Sequence, residues 1–255
     1  MKKFLSLVLA LVMTMSLVTV SAGAKDFTDS SKITYSEAVD VMSAVKVIDG
    51  YADGAFNPSN TLTRGAAAKI IACMMLGKTT AEALGTQAAP FKDVPVGSTF
   101  AGYIAYCVES GLIDGYADGT FRPSAQLTGF AFLKMLLTAL GYDSAIEGFT
   151  GTNWTVNVAS RAIEAGLTKG NENFVGTRAA TREEACLYAF NTLKATMVEY
   201  EKNSTVTVGN ITIKDTSDAK EMTNTAKTDG NIDKDGKMQF AEKYFTDLRL
   251  NDNAT

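Results

Sequence analysis

The chain has 255 residues, 46% of them apolar, which is enough for a sizeable core in one large domain or two small ones. It contains no histidine, so Ser-His-Asp and Cys-His catalysis, His-ligated zinc and histidine pH switching are excluded. A formal net charge of −4 argues against binding a nucleic-acid backbone over a broad surface.

Residues 1–24 open with Lys2 and Lys3, continue as an unbroken apolar run and end in Ser21-Ala22-Gly23-Ala24. Small residues at Ala22 and Ala24 fit a signal-peptide cleavage site; the alternative is a membrane anchor, for which Phe4 to Val20 is short. The chain is therefore expected outside the membrane, with no membrane span after cleavage. Cys73, Cys107 and Cys186 lie in apolar helical patterns at non-equivalent places, an odd set that reads as buried thiols rather than a disulfide framework.

Two loops then repeat at an offset of 65 residues without a gap: Val47 to Arg64, reading VIDGYADGAFNPSNTLTR, and Leu112 to Gly129, reading LIDGYADGTFRPSAQLTG. Phe27-Thr-Asp29 and Phe91-Lys-Asp93 open the two copies. A third, more divergent copy runs through Gly170, Phe174 and Ala180-Thr-Arg-Glu-Glu, with a glycine-to-phenylalanine loop two residues shorter. The expected units are repeat 1 at 25–78, repeat 2 at 88–142 and repeat 3 at 143–200, each a helix, a loop and a second helix.

In repeat 1, Thr34 and Glu37 have capping-box spacing before Ala38, Val41, Met42 and Val45. Thr63 is placed to cap the second helix, whose stripe is Ala67, Ile70, Ile71, Met74 and Met75 and which ends at Gly77. Thr128 caps the matching helix of repeat 2, and Thr181 with Glu184 forms a capping box in repeat 3. Tyr35, Phe100 and Trp154 stand near the starts of the first helices, where an aromatic would plug each unit. One such helical pair cannot bury its stripe alone, so the three are expected to pack about a shared axis. In the loops, Gly50, Gly54, Gly115 and Gly119 are read as permitting positive φ, and Asp53 and Asp118 as turn formers.

Residues 203–255 change texture. Thr205 to Ile213 alternates about Gly209-Asn210 as a β-hairpin, and a helix is expected over 240–248. Asn231, Asp233, Asp235 and Glu242 fall at positions 1, 3, 5 and 12 of a calcium-loop pattern; a polar hairpin tip explains the same letters. Calcium is the one cofactor this spacing suggests. The segment is short for a β domain of its own and reads as the possible opening of a longer region.

The GYADG-F-PS-LT loops followed by Thr-Arg at a helix start resemble the S-layer homology (SLH) family over about residues 27–195. The family's T-R-A-E motif appears as Thr63-Arg64-Gly65-Ala66, Thr128-Gly129-Phe130-Ala131 and Thr181-Arg182-Glu183-Glu184, so repeat 2 lacks its arginine. The resemblance implies a mainly α fold, three repeats packed as a pseudo-threefold helical prism, with a small C-terminal β or irregular segment. It also implies a secreted cell-wall or S-layer protein that binds a peptidoglycan-linked, pyruvylated secondary polysaccharide and catalyses nothing.

Arg64 and Arg182, beside free helix N–H groups, would grip the ketal carboxylate, with Thr63, Thr181 and Glu184 beside them. Each arginine could equally pair with an acid of its own chain. Arg122 is a partial stand-in for the missing arginine, and Tyr51, Tyr116 and Trp154 either stack on sugars or belong to the core. The rival accounts are self-association into a surface layer and a wall-modifying enzyme, though no paired carboxylates stand at a catalytic spacing.

Overall fold

The structure is a computed structural model that describes residues 26–200, 205–208, 211–214 and 218–250; the proposed signal peptide lies outside them. After a 3₁₀ turn at Ser30–Lys32, the helices are α1 (Ser36–Ala44), α2 (Arg64–Leu76), α3 (Lys78–Ala83), α4 (Ala101–Glu109), α5 (Gly129–Ala139), α6 (Trp154–Glu164), α7 (Arg182–Lys194) and α8 (Phe240–Tyr244). Short strands β1 (Val198–Glu199) and β4 (Lys220–Glu221) pair antiparallel, as do β2 (Thr205–Val208) and β3 (Ile211–Lys214). The fold is mainly α, and the expected hairpin forms with Val208 opposite Ile211.

The second helices α2, α5 and α7 are central. In α7 every residue from Glu184 to Leu193 is buried, and α2 buries Ala68, Ala72 and Cys73 in addition to Ala67, Ile70, Ile71 and Met74 of its predicted stripe, Met75 being half-buried. Helices buried on all sides need neighbours on all sides. Those neighbours cross the repeat boundaries. Helix α1 packs on α7, α4 on α2 and α6 on α5, so each prong joins the second helix of one repeat to the first helix of the next. Pairing within a repeat, the simpler expectation, is not what forms.

A ring of backbone bonds marks the axis. Leu62 N–H donates to Ala180 O (2.8 Å), Ala180 N–H to Leu127 O (2.9 Å) and Leu127 N–H to Leu62 O (2.9 Å). Repeat 3 thus closes the prism despite its divergence.

All three N-cap threonines act as expected: Thr63, Thr128 and Thr181 hydroxyls accept from Ala66, Ala131 and Glu184 N–H. The Thr34–Glu37 box does not form. Helix α1 starts at Ser36 with Tyr35 as N-cap, and Thr34 N–H donates instead to the Glu183 carboxylate at 2.8 Å. That bond ties the first repeat to the third, a tertiary demand that overrides the local cap.

Gly54 and Gly119 hold the positive φ expected of them (79° and 77°); Gly50 and Gly115 do not. Those two are needed for close approach, since a Cβ at Gly115 would lie 2.0 Å from the Phe91 ring and one at Gly50 2.6 Å from Phe27. Phe27 and Phe91 in turn pack on Phe56 and Phe121, with ring centroids 5.2 and 5.4 Å apart.

The C-terminal residues do not stand apart. Val198 N–H donates to Leu140 O, Phe240 is fully buried, and α8 packs on α7 and α2. A second closed ring joins Met197, Met222 and Met238, each donating through its backbone N–H to the next. Residues 218–250 are therefore an added end of the same body, and the helix expected over 240–248 is confined to Phe240–Tyr244.

Candidate functional site

The loops of repeats 1 and 2 are each held in one shape by the aspartate that opens the repeat. Asp29 accepts from Phe56 N–H (2.7 Å) and Asn57 N–H (2.8 Å), and Asp93 from Phe121 N–H (2.8 Å) and Arg122 N–H (2.7 Å). These bonds support the left-handed residues Asn57 (φ 55°) and Arg122 (φ 60°). They also hold the Asp29 carboxyl below the usual carboxylate range, the Phe56 N–H contributing most. Asp53 and Asp118 close turns by accepting from Ala55 and Thr120 N–H, the role expected of them.

The arginine that follows each cap reaches into the loop of the neighbouring repeat. Arg64 donates from Nε to Phe121 O (2.8 Å) and from Nη2 to Asp114 O (2.9 Å), and it lies over the Phe121 ring at 4.5 Å. Arg182 repeats this in the loop of repeat 1, bonding Phe56 O (3.0 Å) and Asp49 O (2.9 Å) and lying over Tyr51 at 4.7 Å. Neither guanidinium is paired with an acid through these bonds; carbonyl oxygens take that place. Burial lowers the Arg64 pKa from its usual value.

The helix N–H groups expected to be free are occupied. Arg64 and Gly65 N–H donate to Ala125 O and Pro123 O, and Arg182 and Glu183 N–H to Asn60 O and Pro58 O. With the threonine cap, the first three donors of each helix are satisfied inside the protein. An anion there would meet the outer edge of the guanidinium rather than the helix dipole.

Beyond each arginine opens a groove. The first groove, about 340 Å³, is lined by Arg182, Asp49, Tyr51, Thr63, Lys69 and Phe100, among others. The second, about 320 Å³, is lined by Arg64, Asp114, Lys134, Phe149 and Trp154, among others. The two correspond place by place: arginine from the preceding repeat, lysine from the repeat's own second helix, aromatic from the start of the next repeat. Lys69 and Lys134 are half-buried, and neither makes an ion pair among the described residues. Sequence reasoning passed over both, although their separation is the 65 residues of the loop repeat.

The third position is filled in. Gly129 replaces the arginine, and a Cβ there would lie 3.0 Å from the Phe174 ring. Phe130 packs edge-on against Phe174, with centroids 5.5 Å apart, in the space left by the shorter loop. Leu187 stands six residues after Thr181, where Lys69 and Lys134 follow Thr63 and Thr128. Glu184, read from the sequence as a ligand contact, is buried: it accepts from Arg178, Asn171 and the Thr181 N–H. Burial alone would raise its pKa, but the Arg178 and Thr181 bonds outweigh this and lower it.

Arg122 is not a stand-in at that third position. It pairs with Asp118 at 3.0 Å and covers Tyr116 at 4.0 Å, so Tyr116 lies between Arg122 and Arg64. Tyr51 lines the first groove and Trp154 the second.

Of the four residues with calcium-loop spacing, Asp233 and Asp235 share one donor, while Asn231 and Glu242 are bonded elsewhere. Glu242 is buried and accepts from Asn224 Nδ2 (2.7 Å) and Gly230 N–H (3.2 Å) while closing a capping box with Gln239. Asn231 donates to Thr246 O, and Asp233 and Asp235 both accept from Gln239 Nε2. Among the described residues no group of three or more His, Cys, Asp or Glu could hold a metal ion. The loop spends its oxygens on its own amides.

The family model of the S-layer homology domain matches residues 26–68 and 90–133. A surface layer protein of Brevibacillus choshinensis is 26% identical over 68% of this chain and 15% of its own length. A cellulosome-anchoring protein of Acetivibrio thermocellus is 38% identical over 48% of this chain and 29% of its own. An uncharacterized cell wall amidase of Bacillus anthracis is 30% identical over 58% of this chain and 28% of its own. The chain thus spans less than a third of the length of these relatives. No helix among the described residues is long and apolar enough to cross a membrane.

Proposed function

We propose, on the premise that this chain is an S-layer homology domain protein of the cell surface, that it anchors non-covalently to the cell wall through its first and second grooves. Each groove takes an acidic sugar of a secondary wall polysaccharide. The carrying observation is that two matching grooves each present an arginine edge, a lysine with no ion pair among the described residues and an aromatic wall, while the third position has Gly129 and Leu187 in place of the arginine and the lysine. A planar carboxylate such as a pyruvyl ketal suits a guanidinium edge, and the lysine adds a point charge on its other side. Phe100 and Trp154 supply apolar faces for the sugar ring. No catalytic step is proposed: neither groove holds a carboxylate pair set to act on a glycosidic bond.

The arginines also hold the repeats together, so removing them would confound binding with folding. Lys69→Ala/Lys134→Ala is the cleaner variant. The full chain cosediments with protein-free cell walls, and the double variant loses most of that binding while keeping its helical content. Undiminished binding by the double variant would remove these grooves from the account.

A further inference from the structure

The two grooves are alike in outline but not in charge. Asp49 lines the first and Asp114 the second, each offering its backbone oxygen to the local arginine. At Asp49 the carboxylate is answered: Lys78 Nζ lies 2.9 Å from Oδ2, the two side chains being 31% and 39% exposed. That hydrogen bond is the largest reason the Lys78 pKa is raised. Glu82 stands further out, 3.7 Å from the same ammonium and half exposed.

At Asp114 no cation pairs with the carboxylate among the described residues; Arg122, the nearest extra cation of that loop, pairs with Asp118. The sequence shows the origin of the difference. Lys78 directly follows Gly77 at the end of α2, whereas Tyr142, a buried neutral side chain, directly follows Gly141 at the end of α5. Arg122 also covers Tyr116, while repeat 1 has Asn57 at that place and leaves Tyr51 against its groove.

From these contacts we infer that Lys78 is an affinity-setting residue that makes the first groove the stronger anion site and leaves the second, where no cation pairs with Asp114 among the described residues, the weaker. This rests on the reading of both grooves as acidic-sugar sites and ranks them. A unit charge a few ångströms from a bound anion at a half-exposed site is worth roughly threefold to tenfold in affinity, less at high salt. Removing Lys78 therefore costs the first groove about that factor, and removing the Asp114 charge gives the second a similar gain.

Trp154 is the only tryptophan and lines the second groove, so its fluorescence reports that groove while calorimetry reports both. The probe is a soluble hexoside carrying a pyruvyl ketal, titrated into the full chain at low and at physiological salt. The expected result is two classes of site, the tighter one silent in fluorescence. Lys78→Met weakens only the silent class, Asp49→Asn strengthens it, and Asp114→Asn strengthens only the fluorescent class.

Circular dichroism and a thermal midpoint for each variant guard against misfolding, and the opposite signs expected for Lys78→Met and Asp49→Asn cannot both arise from lost structure. If the tighter class is the fluorescent one, or Lys78→Met leaves the silent class unchanged, the ranking is overturned. Neither heat nor fluorescence change in the wild type would overturn the acidic-sugar reading itself, and the ranking with it.

Discussion

Replacing Arg182 by alanine tests whether the repeat-crossing arginines fasten the prism. The side chain joins the start of α7 to the loop of repeat 1 through two bonds from a charged donor, at 3.0 and 2.9 Å, and lies over Tyr51 and Phe56 at 4.7 and 4.9 Å. A hydrogen bond from a charged group contributes about 1.5–3 kcal/mol when buried, and a half-exposed cation–π contact about 0.5–1 kcal/mol. Taking the low end for the two bonds and setting the ring contacts aside, because the guanidinium edge meets solvent, the loss comes to about 3 kcal/mol. For a body of this size that lowers the melting midpoint by roughly 6–12 °C. Arg182→Lys keeps the charge but not the planar fork, so it recovers a minor part of the loss. Urea and thermal unfolding of the two variants measure it. An alanine variant within about 0.5 kcal/mol of wild type would show that the carbonyl bonds do not fasten the repeats.

Four further outcomes are expected. Gly115→Ala, with its Cβ 2.0 Å from the Phe91 ring, costs about 1–3 kcal/mol in urea unfolding. The thiols of Cys73 and Cys107 are pushed up by burial to about 11 and about 12, and Cys186 is fully buried. All three therefore resist a disulfide reagent in the native chain and react on unfolding. Asp118 is held at about 2, first by the Thr120 hydroxyl, then by the Thr120 N–H and Arg122, and Asp29 is also lowered. A depressed folded pKa gives stability that is present above the ordinary value near 3.8 and lost as pH falls toward about 2; Asp118→Asn flattens that part of a thermal-midpoint profile. Millimolar calcium leaves the thermal midpoint unchanged, whereas a shift of several degrees would mean that the loop at 231–242 binds the ion after all.

What the sequence made legible was whatever repeats. The offset of 65 residues marks the first two loops and the caps Thr63 and Thr128, and the repeated Thr-Arg string adds Thr181, because each is a local signal written more than once. The partner of each helix was not legible. Whether α1 packs on α2 or on α7 depends on distant chain, and the competing use of Thr34, bonded to Glu183 rather than capping α1, follows from that packing.

The same limit applies at the site. Arg64 and Arg182 were found by motif, but that their donors and the helix N–H groups are spent on loop carbonyls is set by the neighbouring repeat. Lys69 and Lys134 could have been found from the offset alone; an isolated lysine on an apolar helix carries little signal until its twin is noticed. Asp29 and Asp93 were seen as repeat openers, while their work as acceptors for loop amides shows only in three dimensions.

The chain is proposed to hold to the wall through an acidic polysaccharide. The most direct measurement is cosedimentation of the full chain with two preparations of the same protein-free walls, one retaining its secondary polysaccharide and one stripped of it. Binding to the first and not the second, lost on Lys69→Ala/Lys134→Ala, is the predicted result. Equal binding to both preparations would place the contact on peptidoglycan itself and contradict the account.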